Sequence, residues 1–235
     1  MKRVYCTSIL KQGSTYELEK KYYIHLVKVM RLKVGDHVSL FNNTSGEWKS
    51  EIVDIKNNFL IAKTISQVSP PQAETSIDLM FSPIKYQNSE SVIRQSTEMG
   101  IRSIFPTIFK RTISTKINLS KFNTYAIGAA QQSERLSIPN IHDLNDLKNQ
   151  SKIISSKTIL MFDENLKGIH LSKAKMKSNS EILVVIGPEG GFEEEEREFI
   201  SKSSKNFLNV SLGSNILKAD TAVIAALSLT FHYFS

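Results

Sequence analysis

The chain has 235 residues, 40% of them hydrophobic, which is enough to bury the core of one large domain or two modest ones and argues against disorder. Its 30 Lys and Arg against 23 Asp and Glu leave a formal charge of +7, a balance that suits a polyanionic partner without requiring one. A lone cysteine, Cys6, excludes an internal disulfide and a Cys-x-x-Cys zinc site, and the five histidines show no ligand spacing, so no metal is expected. No apolar run has the length of a membrane helix, and Met1-Lys2-Arg3 opens on mixed sequence without a signal-peptide core, so a cytoplasmic protein is expected.

The basic excess is uneven. Residues 1–70 carry 11 basic and 6 acidic side chains, whereas residues 71–235 carry 19 and 17. The first segment predicts a helix between Tyr16 and Met30, a turn at Lys33-Val34-Gly35-Asp36, and short strands at Val38–Phe41, Trp48–Ile55 and Phe59–Thr64, the pattern of a small barrel or sandwich. Ser69-Pro70-Pro71-Gln72-Ala73 then breaks regular structure, since the prolines remove donors and extend the residues before them. The domain boundary is placed there, giving domains 1–70 and 71–235.

The second domain alternates strands with helices: Ile77–Phe81, a helix over Glu90–Met99, Ile101–Pro106, a helix over Ser120–Arg135, Thr158–Phe162, Ile182–Ile186, a helix over Glu193–Ser203, Phe207–Leu212, and a helix over Ala219–Phe234. That order predicts an α/β fold with a parallel sheet covered on both faces, whose ligand binds at the carboxyl ends of the strands. Two loops there stand out: Gly187-Pro188-Glu189-Gly190-Gly191-Phe192, and Val210 to Lys218 ahead of the last helix. Three glycines so close together allow a flat ligand to lie against the main chain. Neither phosphate-cradle spacing is present, and Glu189 with Glu193–Glu196 would oppose phosphate at the helix start, so a ligand without phosphate, even a cationic one, is favoured. Read more plainly, the glutamates only complement the helix dipole.

Ile186-Gly187-Pro188-Glu189-Gly190-Gly191-Phe192, with Leu212-Gly213-x-x-Ile216-Leu217-Lys218-x-Asp220-Thr221-Ala222 downstream, resembles the signature pair of the 16S ribosomal RNA uridine N3-methyltransferases of the SPOUT class. His25-Leu26, Arg31-Leu32, Gly35-Asp36, Thr97-Glu98-Met99-Gly100 and Ala129-Ala130-Gln131-Gln132-Ser133-Glu134-Arg135 agree in order, so the resemblance spans nearly the whole chain. Where that family usually has Arg, Arg and Glu in the second loop, this chain has Asn215, Lys218 and Asp220.

The resemblance implies an N-terminal PUA-like β-barrel for RNA and a C-terminal SPOUT α/β domain with a trefoil knot that binds S-adenosyl-L-methionine, a phosphate-free cofactor with a positive sulfonium. Ile186, Gly187, Pro188, Glu189, Gly190, Gly191, Leu212, Gly213, Ile216, Leu217 and Thr221 are then the cofactor residues. Methylating N3 of a specific uridine requires its proton to leave or the uridine anion to be stabilised. Arg135 and Lys218 are the candidate cations and Glu98 a candidate base or orienting acid, with dipole capping by Arg135 and ion pairing by Glu98 as plainer readings. RNA contacts are expected from Arg3, Arg31, Lys33 and Arg111. Other readings are a SPOUT enzyme acting on transfer RNA, a non-catalytic RNA-binding relative, and a dehydrogenase, the last lacking Gly-x-Gly-x-x-Gly.

The partners expected are 16S rRNA in the small ribosomal subunit and a second copy of the chain. The last helix carries apolar residues around most of its circumference, and Ala222, Ala225 and Ala226 would let a partner helix approach, so a homodimer through the C-terminal domain is expected.

Overall fold

The computed structural model describes residues 1–84, 86–163, 168–173 and 180–234. They form two compact units, Met1–Ala73 with Ala130–Ile138, and Glu74–Ala129 with Pro139–Ser235. Residues 130–138, read in the sequence as second-domain, therefore count with the first. Arg3 explains why: its guanidinium donates to the carbonyls of Ala130 (2.7 Å) and Arg135 (3.1 Å), and Gln131 donates back to the Arg3 carbonyl (2.7 Å).

The first unit contains β1 (Lys2–Tyr5), β2 (Thr15–Leu18), α1 (Lys20–Tyr23), β3 (His37–Asn42), β4 (Gly46–Lys56) and β5 (Phe59–Ser69). They make a five-stranded sheet in the order β1-β3-β4-β5-β2, parallel only between β1 and β3. Alternation sends Val38, Leu40, Ile52, Leu60 and Ala62 into the core, where each is fully buried. Trp48 packs on that core and donates its indole N–H to the Ser45 carbonyl at 2.8 Å.

The helix expected over Tyr16–Met30 is only partly a helix. Tyr16 and Leu18 pair with Ala62 and Leu60 as strand β2, because alternating Tyr16 and Leu18 complete the sheet's apolar face. After α1 the chain continues as a π-helix over Ile24–Val29, burying Leu26 alone, and Arg31 ends it at φ 60°.

The second unit holds β6 (Ile77–Phe81), α2 (Tyr86–Met99), β7 (Ser103–Ile108), α3 (Leu119–Gln132), β8 (Asn140–Ile141), β9 (Asn145–Asp146), α4 (Ser151–Ser156), β10 (Thr158–Phe162), β11 (Ile182–Ile186), α5 (Glu194–Ser203), β12 (Asn206–Asn209) and α6 (Ala219–Phe234). All strand pairs are parallel, in the order β12-β10-β11-β6-β7-β8, with β9 also on β7. The apolar runs of β6, β10 and β11 are buried at every residue, as strands covered on both faces must be. Met80, Ile159, Met161, Leu183 and Val185 form one core with Ile154 of α4 and Ile200 of α5. Helix α6 packs on α2 and β11.

Helix α6 is less apolar outward than its composition predicts. Val223, Ala226, Leu227 and Thr230 are buried within the chain, and Thr230 satisfies its hydroxyl on the Ala226 carbonyl at 2.7 Å. Ala226 is therefore covered within the chain. The exposed residues of the helix are Thr221, Ser228, His232 and Tyr233, with Ala225 half-buried. No helix among the described residues is long and apolar enough to cross a membrane.

The amino ends of the central strands carry a charge network. Asp78 of β6 is bonded by Arg102 (2.7 Å) and Lys157 (2.7 Å), and Glu181 is bonded by the same two cations. Asp78 and Lys157 are 2% and 11% exposed, so neither charge is stable there alone. Hydrogen bonding from Arg102, with Lys157 adding, brings the Glu181 carboxyl from 4.5 down to about 2. Asp78→Ala should cost about 3 kcal/mol in urea denaturation, because it removes the buried partner of Arg102 and Lys157 and leaves them only the half-exposed Glu181. Because the folded Glu181 pKa is the lower, its stabilisation is complete above pH 4.5 and lost as pH falls toward 2; Glu181→Gln should flatten the acid limb of the stability profile in that window.

Candidate active site

Phe162, Ile186 and Phe81 pair across β10, β11 and β6, so three strands end level. Just beyond lies a cavity of about 510 Å³, lined by the loop after β11, by the loop between β12 and α6, by Phe162 and Asp163 at the end of β10, and by Asn88 of α2. Its size suits a small-molecule ligand.

The first loop is shaped by its glycines. A Cβ on Gly187 would lie 2.7 Å from the ring of Phe192, which is buried and stacked edge to face on Phe109 at 5.2 Å. Gly191 turns left-handed (φ 74°) while its N–H reaches the Pro188 carbonyl at 2.9 Å, closing a tight turn. In the second loop Gly213 adopts φ 111° and donates its N–H to Ser211 Oγ at 3.1 Å.

The glutamates of α5 serve the helix and its neighbours. Glu193 and Glu196 form a capping box, with Glu193 N–H on Glu196 Oε2 at 2.9 Å. Glu196 Oε1 also accepts Lys110 N–H (2.6 Å), and Glu193 Oε1 accepts Arg111 Nε (2.9 Å). The helix N-terminus is thus occupied by the chain's own carboxylates, and a phosphate would meet them. Asp163, its side chain fully buried, is ion-paired with Arg197 of α5, whose guanidinium Asp163 holds more firmly protonated. Among the described residues no group of three or more His, Cys, Asp or Glu is placed to hold a metal.

The RNA methyltransferase domain family matches residues 71–230, and the RNA methyltransferase PUA domain family matches residues 23–65. The ribosomal RNA small subunit methyltransferase E of Rickettsia conorii is 35% identical over 229 residues, covering 96% of this chain and 93% of that protein. This chain belongs to the ribosomal RNA small subunit methyltransferase E family. A second relative, methyltransferase E 2 of Borreliella burgdorferi, is 31% identical over 218 residues, covering 89% of this chain and 88% of its own. Among solved structures, a Legionella pneumophila protein in complex with the bound cofactor SAM superposes with TM-score 0.87 at 26% identity, over 98% of this chain and 97% of that one. The Neisseria gonorrhoeae methyltransferase E bound to S-adenosyl methionine has the same fold, with TM-score 0.87 at 22% identity over 100% and 98% of the two chains.

In this methyltransferase E chain the cavity gathers Ile186, Gly187, Pro188, Glu189, Gly191, Leu212, Gly213, Ile216, Leu217 and Lys218. Two expected cofactor residues lie outside its lining. Gly190 is exposed and set against the Arg111 side chain, and Thr221 is exposed on α6. Of the expected catalytic residues, Lys218 lines the cavity, Glu98 is exposed near the end of α2 and does not, and Arg135 belongs to the first unit, where Nε donates to Ser137 Oγ at 2.9 Å. Arg3 is not a surface phosphate contact: it is 7% exposed, paired with Glu47 at 3.1 Å and stacked over Phe41. Arg111 is likewise engaged with the glycine loop through Nη1 on the Gly190 carbonyl (2.6 Å). Arg31 and Lys33 are exposed, as an RNA contact requires.

Among the lining residues that sequence reasoning did not assign to the site are Asn88, Phe162, Asp163 and Ala222. Asp163 was within reach, being the residue after a strand whose carboxyl end faces the ligand. Gly187→Ala should destabilise the protein by about 2 kcal/mol in urea denaturation, since its methyl overlaps the Phe192 ring, and the loss should shrink in a Phe192→Ala background.

Proposed function

We propose that this chain transfers a methyl group from S-adenosyl-L-methionine to N3 of a specific uridine in 16S rRNA of the small ribosomal subunit, in the cytoplasm and as a homodimer. The cavity at the level ends of β10, β11 and β6 carries this reading, because its walls are the two signature loops. The fit is chemical as well as dimensional. Gly187 and Gly191 present main chain without a side chain that would stand off a flat ring, and Glu189 brings a carboxylate to the lining where a cation is to be held, Asp163 being already paired with Arg197. The N-terminus of α5, already filled by Glu193 and Glu196, leaves no place for phosphate, which this cofactor lacks. Bound here, the cofactor supplies an activated methyl on a sulfonium.

The chain's own contribution is to hold the base and manage its proton. Lys218 is the one cationic side chain among the described residues lining the cavity, and its ammonium stabilises the uridine anion as the N3 proton leaves. Glu98 and Arg135 are not among the lining residues, so Lys218 alone carries this step. Division of labour follows the two units: a methyl-transfer domain, and a PUA-like domain that positions RNA. The basic surface of the latter is Lys20, Lys21, Lys28, Arg31 and Lys33, all exposed between β2 and β3. The homodimer is supported by the outward side of α6, where Thr221, Ala225 and Ser228 are small enough for a second helix to lie close and Tyr233 adds exposed apolar surface.

Purified protein with labelled S-adenosylmethionine should methylate 30S subunits lacking the modification, and nucleoside mass spectrometry should find 3-methyluridine. Label in a different base, or in transfer RNA alone, contradicts the assignment. Arg31→Glu should weaken RNA binding and reduce the slope of log K against log salt by about one, without changing cofactor affinity; an unchanged slope places the RNA elsewhere.

A further inference from the structure

Within the second unit the glycine loop is gripped from outside the cavity. The turn after β7 reaches it at several points: Arg111 Nη1 donates to the Gly190 carbonyl at 2.6 Å, Arg111 Nε to Glu193 Oε1 at 2.9 Å, and Lys110 N–H to Glu196 Oε1 at 2.6 Å. The turn itself is fixed by Thr112, whose hydroxyl accepts Phe109 N–H at 2.8 Å and shares a hydrogen bond with Ser82 Oγ at 2.8 Å. Ser82 N–H in turn donates to the Ile186 carbonyl at 3.1 Å, the last residue before the loop.

Gly190 shows that the grip is built in. A Cβ there would sit 3.2 Å from both Cβ and Cδ of Arg111, so the glycine makes room for the arginine stem and not for a ligand. The Gly190 carbonyl sets the peptide plane leading into Gly191, where the backbone turns left-handed. A loop with glycines at 187, 190 and 191 has much conformational freedom to lose on binding, and a contact that removes it beforehand raises affinity without touching the ligand. Arginine suits the task because its planar fork serves two acceptors at once; a lysine ammonium at the end of a flexible stem does not.

We propose that Arg111 is a positioning residue for the cofactor loop: it presets the Gly190 peptide plane and the start of α5, so that the main chain of Gly187–Gly191 is already in its binding shape. The proposal rests on the reading of the cavity as the S-adenosylmethionine site.

Calorimetric titration of S-adenosylmethionine into the full chain tests it, with 30S binding measured at several salt concentrations alongside. Arg111→Ala should raise the cofactor Kd about tenfold while leaving 30S affinity and its salt slope unchanged. In turnover, KM for the cofactor should rise with kcat retained at saturation. Arg111→Lys keeps charge and stem, and should fail to restore the affinity. Gly190→Ala should also weaken binding, yet the double variant Gly190→Ala with Arg111→Ala should bind no more weakly than Arg111→Ala alone, because the methyl then has the space the stem left. If Arg111→Ala does not fold, Arg111→Lys carries the test, with weakened binding expected. Wild-type cofactor affinity in either arginine variant, additive losses in the double variant, or lost 30S binding with cofactor affinity intact would each overturn the proposal. A parent protein that binds no S-adenosylmethionine removes the reading of the site itself.

Discussion

In the second unit β10, β11 and β6 run parallel with Phe162, Ile186 and Phe81 in register, so three chains leave the sheet at one level and the polar main chain there has to be met by whatever follows. Part of it is met locally, by Ser82 N–H on the Ile186 carbonyl. The rest borders the cavity. Two loops of unusual backbone geometry close over that edge, with Gly191 and Gly213 in left-handed conformations that other residues rarely adopt. The cavity is therefore a consequence of strand register first and of side chains second.

The two ends of the same strands are treated in opposite ways. At the amino ends Asp78, Arg102, Lys157 and Glu181 neutralise one another in a network that fixes where the strands begin. At the carboxyl ends the charges are spent on geometry: Asp163 on Arg197, Glu193 and Glu196 on the start of α5 and the turn after β7. Lys218 stands apart in lining the cavity from the exposed loop before α6. A stable base beneath a preset rim is what a site that must hold a flat cofactor requires.

Much of this was legible in the sequence, for reasons that differ by element. Ile77–Phe81, Thr158–Phe162 and Ile182–Ile186 were readable because strands buried on both faces are nearly continuously apolar, the charged exception being Asp78, which Arg102 and Lys157 pair. Strands β1 and β2 were not: each is four residues long and carries charged or exposed side chains, and only pairing with β3 and β5 defines them. The cavity-lining glycines were visible through their spacing, but the contact of Gly190 with Arg111 was not. The two are 79 residues apart in the chain, a separation no local pattern encodes. Arg3 was misjudged for the same reason, its acceptors at Ala130 and Arg135 lying far along the sequence. In α6 the composition hid a partly polar outward side, which only the packing on α2 and β11 separates from the buried one.

Everything proposed for this chain requires the two loops at the level strand ends to bind S-adenosylmethionine. Hydrogen–deuterium exchange with and without the cofactor addresses it residue by residue. Protection confined to residues 187–192 and 210–218, with the amino-end network around Asp78 and Arg102 unchanged, is the predicted result. Protection centred elsewhere, or none at saturating cofactor, would contradict the account.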